Sequence, residues 1–300
     1  MAADGSVRIG LGYVAGVRSG EVAALVAARE EGGRFRSLAD LASRAGAGRP
    51  SLEKLAWAGA CDALAGIEAS ADGANRARRS ALWQLGVAAP GDPVREGTQL
   101  ALPLDTPAPP ELRELAPWES MVADYATTGL TLGEHPLALL RGQMPEGAVS
   151  CRDLERMRHE AQVTIGGLVV ARQRPGTAKG IVFLLLEDEF GTINLIVPPD
   201  VYERHRLTVR TEPLILARGR LEKLAMAGGA INVFVKRLEP LVTPDQDVAG
   251  VVELAERRVA AAASEVAADR SAAGADPSEI LADFRGVAPA VQSFASGRRR

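Results

Sequence analysis

The sequence predicts a multidomain α + β protein in which a helical unit precedes a five-stranded β-barrel. Two observations favour this architecture. Short apolar segments separated by glycines fill the first 85 residues, whereas the strongest β pattern runs from Val163 to Pro198. In that second stretch, three runs of branched and aromatic residues are separated by the turn segments RPGTAKG and EDEFG, an arrangement that consecutive antiparallel strands require.

Composition limits the classes of function. The 300 residues suffice for two or three small domains, and a net charge of −3 argues against a protein that coats nucleic acid with its whole surface. Any such binding must use local basic patches. Cys61 and Cys151 lie far apart without a metal-binding spacing, which favours a reducing, cytoplasmic setting over a zinc site or a disulfide framework. No apolar segment reaches membrane-spanning length, so we expect no membrane contact.

Residues 1–85 are predicted to form a helical DNA-binding unit. After a glycine-bearing turn, apolar residues recur at helical spacing. Ser37 and Asp40 form a capping box that opens a second helix, and Pro50 opens a third. A fourth helix begins with a basic cluster that we interpret mainly as a solvated face: Arg76, Arg78 and Arg79.

The first turn, VAGVRSG, resembles a helix-hairpin-helix motif. Its glycines let the backbone approach a phosphate closely, and the following helix presents N–H groups and the positive end of its dipole. We therefore assign Gly16, Arg18 and Gly20 to sequence-independent contact with duplex DNA. The turn departs from the strict glycine spacing, because Arg18 and Ser19 stand before Gly20. A plain pair of helices with a glycine at one helix end is the equal alternative.

Residues 86–117 are predicted to be a linker because they contain seven prolines. Within it, a glutamine followed by spaced leucines resembles the short peptide by which bacterial polymerases dock on the sliding clamp. Packing of the leucines on the chain's own domain is the alternative. The clamp-binding hypothesis concerns Gln99, Leu100, Leu102 and Leu104. A helical connector, 118–160, is predicted to follow.

Residues 161–241 are predicted to form the barrel. Three strands, a short helix and two further strands follow the order of an OB-fold, a partly open five-stranded barrel that binds single strands. Residues 163–238 contain 11 lysines and arginines against seven acidic residues. A structural barrel with solvated charges is the alternative to a DNA-binding one. The cations that we assign to a DNA backbone are Arg172, Arg174, Lys179, Arg218, Arg220 and Lys236.

Base stacking requires exposed aromatic rings, and the phenylalanines of the barrel, Phe183, Phe190 and Phe234, are the candidates that we consider. We expect at least Phe183 to lie in the core, which leaves a mainly electrostatic interface whose affinity falls steeply with salt. Beyond the barrel, residues 242–300 are rich in alanine and end in a basic segment, and we predict that this tail is partly disordered.

Several segments together resemble the C-terminal region of the bacterial C-family DNA polymerases, which are similar to the DNA polymerase III alpha subunit. These segments are IGLGYVAGVR, FRSLADL, LEKLAWAGACDAL, DYATTGLTLGEHPLALLR, RQRPGTAKG and LEDEFGTINLIV. The ending, DFRGVAPAVQSFASGRRR, resembles the error-prone branch of that family. The resemblance implies a C-terminal DNA-binding region that serves damage tolerance, translesion synthesis and SOS mutagenesis. It implies duplex and single-stranded template DNA as ligands, and the sliding clamp and mutagenesis accessory proteins as partners.

In that family a palm domain, which precedes the segments named above, holds the Mg²⁺ ions and performs nucleotidyl transfer. We therefore expect no cofactor and no catalytic or metal-binding residue in this chain, and no DNA synthesis by it alone. Asp245 and Asp247 lie in a connector without rigid support, while Glu187, Asp188 and Glu189 are interpreted as solvated charges of a turn. A module that docks partner proteins, with little direct DNA binding, is the second functional hypothesis.

Overall fold

The computed structural model describes residues 7–66, 73–88, 109–224, 230–244 and 284–293. The described residues up to Leu132 form one compact unit, and those from Gly133 onward form a second. The predicted connector, 118–160, is thereby divided between the units. The predicted order of a helical unit followed by a barrel is confirmed.

The first unit is entirely helical in its described parts. Short 3₁₀ helices span Leu11–Tyr13 and Asp62–Leu64. The α-helices are α1 (Ser19–Gly32), α2 (Leu38–Arg44), α3 (Arg49–Trp57), α4 (Gly73–Ala88) and α5 (Pro117–Thr128).

Local signals explain where these helices begin. Ser37 Oγ accepts a hydrogen bond from the backbone N–H of Asp40 at 3.1 Å, which confirms the predicted cap of α2. Pro50 lies in the first turn of α3, where its missing N–H costs nothing. Helix α4 packs against both α2 and α3, and buries Ala81 and Leu85 completely between them. Most of the buried side chains around these helices are alanine and leucine, with Trp57 and Trp118 among the few aromatic ones.

A buried ion pair joins α4 to α5. Arg78 Nη1 lies 2.9 Å from Asp124 Oδ1, and both side chains are almost completely buried. The interpretation of Arg78 as part of a solvated face is therefore wrong, because α5 covers that face of α4. Burial raises the pKa of the nearby Asp62 to about 6, against the attraction of Arg78 and with the repulsion of Asp124. Arg79 is partly exposed, 3.8 Å from Glu119, and the side chain of Arg76 lies outside the described residues.

The second unit contains the barrel. Its helices are α6 (Pro136–Leu140), α7 (Cys151–Leu154), α8 (Pro199–Arg204), α9 (Arg206–Thr211) and α10 (Phe284–Val287), with a 3₁₀ helix over Arg141–Gln143. Its strands are β1 (Gln162–Gln173), β2 (Val182–Asp188), β3 (Gly191–Val197), β4 (Leu214–Leu224), β5 (Ala230–Pro240) and β6 (Gln292–Ser293).

Five of these strands close into the predicted OB barrel. Strand β1 pairs antiparallel with β2 and with β4, β3 pairs antiparallel with β2, and β5 pairs antiparallel with β4. The parallel pairing of β3 with β5 completes the circle. Helices α8 and α9 occupy the predicted place between β3 and β4. The interior is apolar, with Ile165, Leu184 and Val233 fully buried.

Part of the C-terminal tail packs on the barrel. The Phe284 side chain is completely buried, and Arg285 Nε lies 2.9 Å from Glu212 Oε2. Strand β6 pairs parallel with β1 at Ala171 and Arg172. This segment departs from the loose tail that its composition suggests, because one buried aromatic ring anchors it. The remainder of 245–300 lies outside the described residues.

Replacing Arg78 with leucine should lower the free energy of unfolding of the first unit by about 3–5 kcal/mol, because Asp124 would keep a buried charge without its partner. Arg79→Leu is the matched control. Its ion pair is longer and partly exposed, so its loss should cost at most about 1 kcal/mol. Denaturant unfolding of both variants measures the difference, and equal losses would contradict a structural role for Arg78.

The raised pKa of Asp62 predicts a pH dependence of stability. Between its ordinary pKa of 3.8 and about 6, the folded protein retains a proton that the unfolded chain has released. The contribution of Asp62 to stability therefore falls as pH rises through this window and stays constant above it. Asp62→Asn removes this dependence. The unfolding midpoint of the variant, relative to that of the native protein, should therefore rise from pH 4 to pH 6. A constant gap between the two midpoints would show that Asp62 does not titrate there.

Candidate nucleic-acid interface

The hairpin turn of the first unit requires glycine at one position. Gly16 has φ +74°, a left-handed conformation that side chains disfavour. A Cβ at this position would also overlap the ammonium nitrogen of Lys54, from α3. The N–H of the preceding Ala15 donates to the carbonyl oxygen of Thr127 at 2.7 Å, which ties the turn to α5. The turn is thus fixed by its neighbours in the fold.

The start of α1 is exposed beside this turn. Arg18 is the N-cap residue and Gly20 lies in the first helical turn, and both are exposed to solvent. The first N–H groups of a helix have no partner within it, so this end can receive an acceptor. The structure therefore brings the three predicted hairpin residues, Gly16, Arg18 and Gly20, to one end of α1.

A carboxylate links the start of α1 to the start of α3. Glu21 accepts hydrogen bonds from Ser51 Oγ at 2.6 Å, from Gly48 N–H at 3.1 Å and from Arg18 N–H at 3.3 Å. Burial acts to raise its pKa, but these hydrogen bonds outweigh burial and hold the pKa below its ordinary value. The link sets α3 against the turn and brings Lys54 to it. Sequence reasoning missed Lys54 because the contact joins distant parts of the chain.

Two of the three cations predicted around the turn between β1 and β2 are exposed. Arg174 and Lys179 are exposed, and the Arg174 guanidinium carbon lies 4.6 Å from the centre of the Tyr202 ring. Arg172 is half-buried, and its Nη2 donates to the carbonyl oxygen of Glu212 at 2.6 Å. Burial lowers the pKa of Arg172, and the Glu212 carboxylate opposes that shift. Arg172 therefore differs from the exposed Arg174 and Lys179, because its guanidinium is half-buried and already hydrogen-bonded.

Cations on β4 and β5 all have polar partners. Arg220 lies 2.9 Å from both Glu160 and Glu222. Arg218 Nη2 lies 3.8 Å from Glu239 Oε2, and Lys236 Nζ donates to Gln162 Oε1 at 2.9 Å. Carboxylates thus offset much of the positive charge that the sequence places on these strands.

A row of half-buried side chains crosses the outside of the barrel. Paired positions on β2, β3, β5 and β4 place Phe183 beside Ile196, Ile196 beside Phe234, and Phe234 beside Arg220. We call these four residues the outer belt. The Arg220 guanidinium carbon lies 6.0 Å from the centre of the Phe234 ring. The belt therefore combines two aromatic rings with a cation.

The expectation that Phe183 lies in the core is wrong. Along β2 the side chains alternate, so that Val182, Leu184 and Leu186 are buried while Phe183 and Leu185 are half-buried on the other face. The run VFLLL is apolar at every position, so its sequence conceals which residues face inward. Phe183 is available to a ligand because of this alternation.

Acidic residues do not form a metal site in the parts that the structure describes. No group of three His, Cys, Asp or Glu side chains there is placed to hold a metal ion. Asp188 is buried, and its oxygens accept hydrogen bonds from backbone N–H groups, so its interpretation as a solvated charge is wrong.

Burial raises the pKa of both thiols, Cys61 and Cys151, to about 12. Asp245 and Asp247 lie outside the described residues, and no described helix is long and apolar enough to cross a membrane.

Two family models match the chain. A helix-hairpin-helix motif matches residues 1–71, and an OB-fold nucleic acid binding domain matches residues 163–241. Both predicted domain types are confirmed, and both matches support DNA binding.

Named relatives match over most of the chain. A protein named error-prone DNA polymerase from Anaeromyxobacter sp. (strain K) is 42% identical over 241 residues, which are 78% of this chain and 19% of the relative. One from Pseudomonas savastanoi pv. phaseolicola (strain 1448A / Race 6) is 37% identical over 79% of this chain and 22% of the relative. The chain spans about a fifth of the length of these curated relatives. The resemblance that the sequence motifs indicate is confirmed.

Solved structures show a more limited likeness. Asparaginyl-tRNA synthetase from Pyrococcus horikoshii is 23% identical, with a TM-score of 0.28 over 32% of this chain and 23% of that chain. The hypothetical protein ygiW from E. coli is 20% identical, with a TM-score of 0.25 over 32% of this chain and 94% of that chain. At these TM-scores neither structure supports a conclusion about function.

Replacing Gly16 with alanine should destabilise the first unit by about 1–2 kcal/mol, because a left-handed residue with a side chain is strained and would displace Lys54. Gly20→Ala is the matched control, since a Cβ there meets open space. It should leave stability unchanged or raise it by up to about 1 kcal/mol. Denaturant unfolding measures both variants, and equal stabilities would contradict the required conformation at Gly16.

Proposed function

We propose that this chain, which is homologous to one region of the error-prone DNA polymerases, is a non-catalytic DNA-binding region that holds duplex and single-stranded template. The observation that carries the proposal is the outer belt, in which two half-buried aromatic rings and Arg220 share one face of an OB barrel. The two family matches support nucleic acid as the ligand of both units.

The outer belt suits unpaired bases. Stacking of a base on an aromatic side chain contributes about 1–3 kcal/mol and tolerates every base, because each base has a π face. Phe183 and Phe234 are separated by one strand, so a single strand that crosses β2, β3 and β5 passes both rings. The exposed Arg174 and Lys179 supply attraction to phosphates near the start of β2.

The hairpin suits a duplex backbone. The fixed turn at Gly16 and the exposed start of α1 present N–H groups, and Arg18 and Lys54 add positive charge beside them. These features recognise phosphate and carry no base information. The Glu21 carboxylate at the same helix ends reduces the local positive potential, so the hairpin would bind weakly and position the duplex.

From the homology to error-prone DNA polymerases we also infer a role in translesion synthesis and SOS mutagenesis. We infer a cytoplasmic location and docking to mutagenesis accessory proteins on the same basis. Docking to a sliding clamp remains a prediction, because the motif at Gln99, Leu100, Leu102 and Leu104 lies outside the described residues. We assign no metal ion to this chain, and any catalytic Mg²⁺ would be held by a palm domain.

Replacing both Arg174 and Lys179 with alanine should weaken single-stranded DNA binding and reduce its salt dependence. Each lost phosphate contact lowers the slope of log K against log salt by about 0.7, so the double variant should lose about 1.4. A titration of fluorescent oligo-dT at several salt concentrations measures the slope.

Arg172→Ala is the neighbouring control, at the end of β1, because the Arg172 guanidinium already binds the carbonyl oxygen of Glu212. It should lower stability and leave the slope unchanged. With blunt duplex DNA, Arg18→Ala should lower the slope by about 0.9 and leave oligo-dT binding intact. A native protein that fails to bind oligo-dT would contradict the proposed function, whereas an unchanged slope in the double variant would remove only the loop from the interface.

A further inference from the structure

The turn between β2 and β3 is fixed by a buried carboxylate. Asp188 is 3% exposed. Its Oδ1 accepts hydrogen bonds from the N–H groups of Phe190 at 2.9 Å and Gly191 at 3.1 Å, and its Oδ2 accepts from the N–H of Cys151 at 2.7 Å. Charge-assisted bonds of this kind are among the strong hydrogen bonds of proteins. These hydrogen bonds hold the tip of the β2–β3 hairpin against the start of α7.

A second contact restrains the other side of the turn. Arg141 Nε and Nη2 lie 2.9 Å and 2.7 Å from the two carboxylate oxygens of Glu189, a two-point geometry that fixes both groups. Arg141 Nη2 also lies 3.5 Å from Asp188 Oδ2. Turns at hairpin tips are ordinarily among the mobile parts of a fold. Here the residues on either side of Phe190 are held by buried or half-buried partners.

Phe190 projects from this fixed turn. Its side chain is 45% exposed, and the guanidinium carbon of Arg152 lies 4.2 Å from the ring centre. Arg152 directly follows Cys151, whose N–H binds Asp188, so the contact that fixes the turn also positions the arginine. Single exposed apolar residues are common on protein surfaces. A ring with a rigid backbone and a cation over one face is a more specific arrangement.

We propose that Phe190, backed by Arg152, is a separate stacking site that takes one unpaired nucleobase of single-stranded DNA. The inference rests on the proposed function, which supplies the single strand. A guanidinium over one face of the ring polarises it, and a planar base on the other face completes a three-layer stack. The positive charge of Arg152 also favours a ligand that carries phosphate. Because the turn is rigid before binding, little entropy is lost when a base stacks on it.

Phe190→Leu tests the stack directly, because leucine keeps an apolar side chain against Arg152 and removes the π face. Its affinity for oligo-dT should fall about five- to hundred-fold, the loss expected for one stacked base. The salt slope should stay unchanged, because no phosphate contact is lost. Phe190→Trp should bind at least as tightly as the native protein. An oligonucleotide of the same length with abasic sites should show no difference between native protein and Phe190→Leu.

Leu207→Ala is the matched surface control, since Leu207 is 74% exposed on α9 and belongs to none of these contacts. It should bind oligo-dT as the native protein does. Native affinity in Phe190→Leu would overturn the stacking site and leave the proposed function intact, provided that the native protein binds oligo-dT. The stacking site would also be overturned if Phe190→Leu lost as much affinity for the abasic oligonucleotide as for oligo-dT. It would be overturned as well if Phe190→Trp bound oligo-dT more weakly than the native protein while unfolding at the same temperature.

Discussion

Closure of five strands into a barrel, through the parallel pairing of β3 with β5, is the constraint on which the second unit depends. A closed barrel fixes the register of every strand, because each strand has partners on both sides. Strands β4 and β5 also approach each other closely at one point, since a Cβ at Gly219 would overlap the carbonyl oxygen of Phe234. The pairing shifts register between Arg218 and Gly219, so glycine occupies the position where the two strands bend together.

The same closure creates the outer belt. Side chains alternate between the two faces of a strand, so the residues that fill the interior determine which residues remain outside. With Leu184, Leu195 and Val233 buried, Phe183, Ile196 and Phe234 must share the outer face. The aromatic surface is therefore a consequence of core packing in neighbouring positions. A change of one residue in register would remove both the core and the belt.

The sequence alone predicts the order of elements and fails where distant residues meet. The five strands, the cap at Ser37 and the glycine at the hairpin turn depend on local patterns, and all three are found. Arg78 and Asp188 resemble surface charges in sequence, but each is buried by an element far away in the chain, which is α5 for Arg78 and α7 for Asp188. Local patterns contain no information about such contacts. Lys54 is missed for the same reason.

The pairing of basic residues on the barrel reduces the expected share of electrostatic attraction, relative to base stacking, at the proposed DNA interface. The excess of basic residues in 163–238 suggests a mainly electrostatic surface, yet Arg218 and Arg220 face Glu239, Glu160 and Glu222, and Arg172 binds a backbone carbonyl. A cation that is already paired gains less from a phosphate, because it must give up its first partner. In the proposed interface, the exposed Arg174 and Lys179 would therefore supply most of the electrostatic attraction of the predicted set, and base stacking would supply the remainder. Such an interface would bind every sequence and depend on salt less steeply than the charge count indicates.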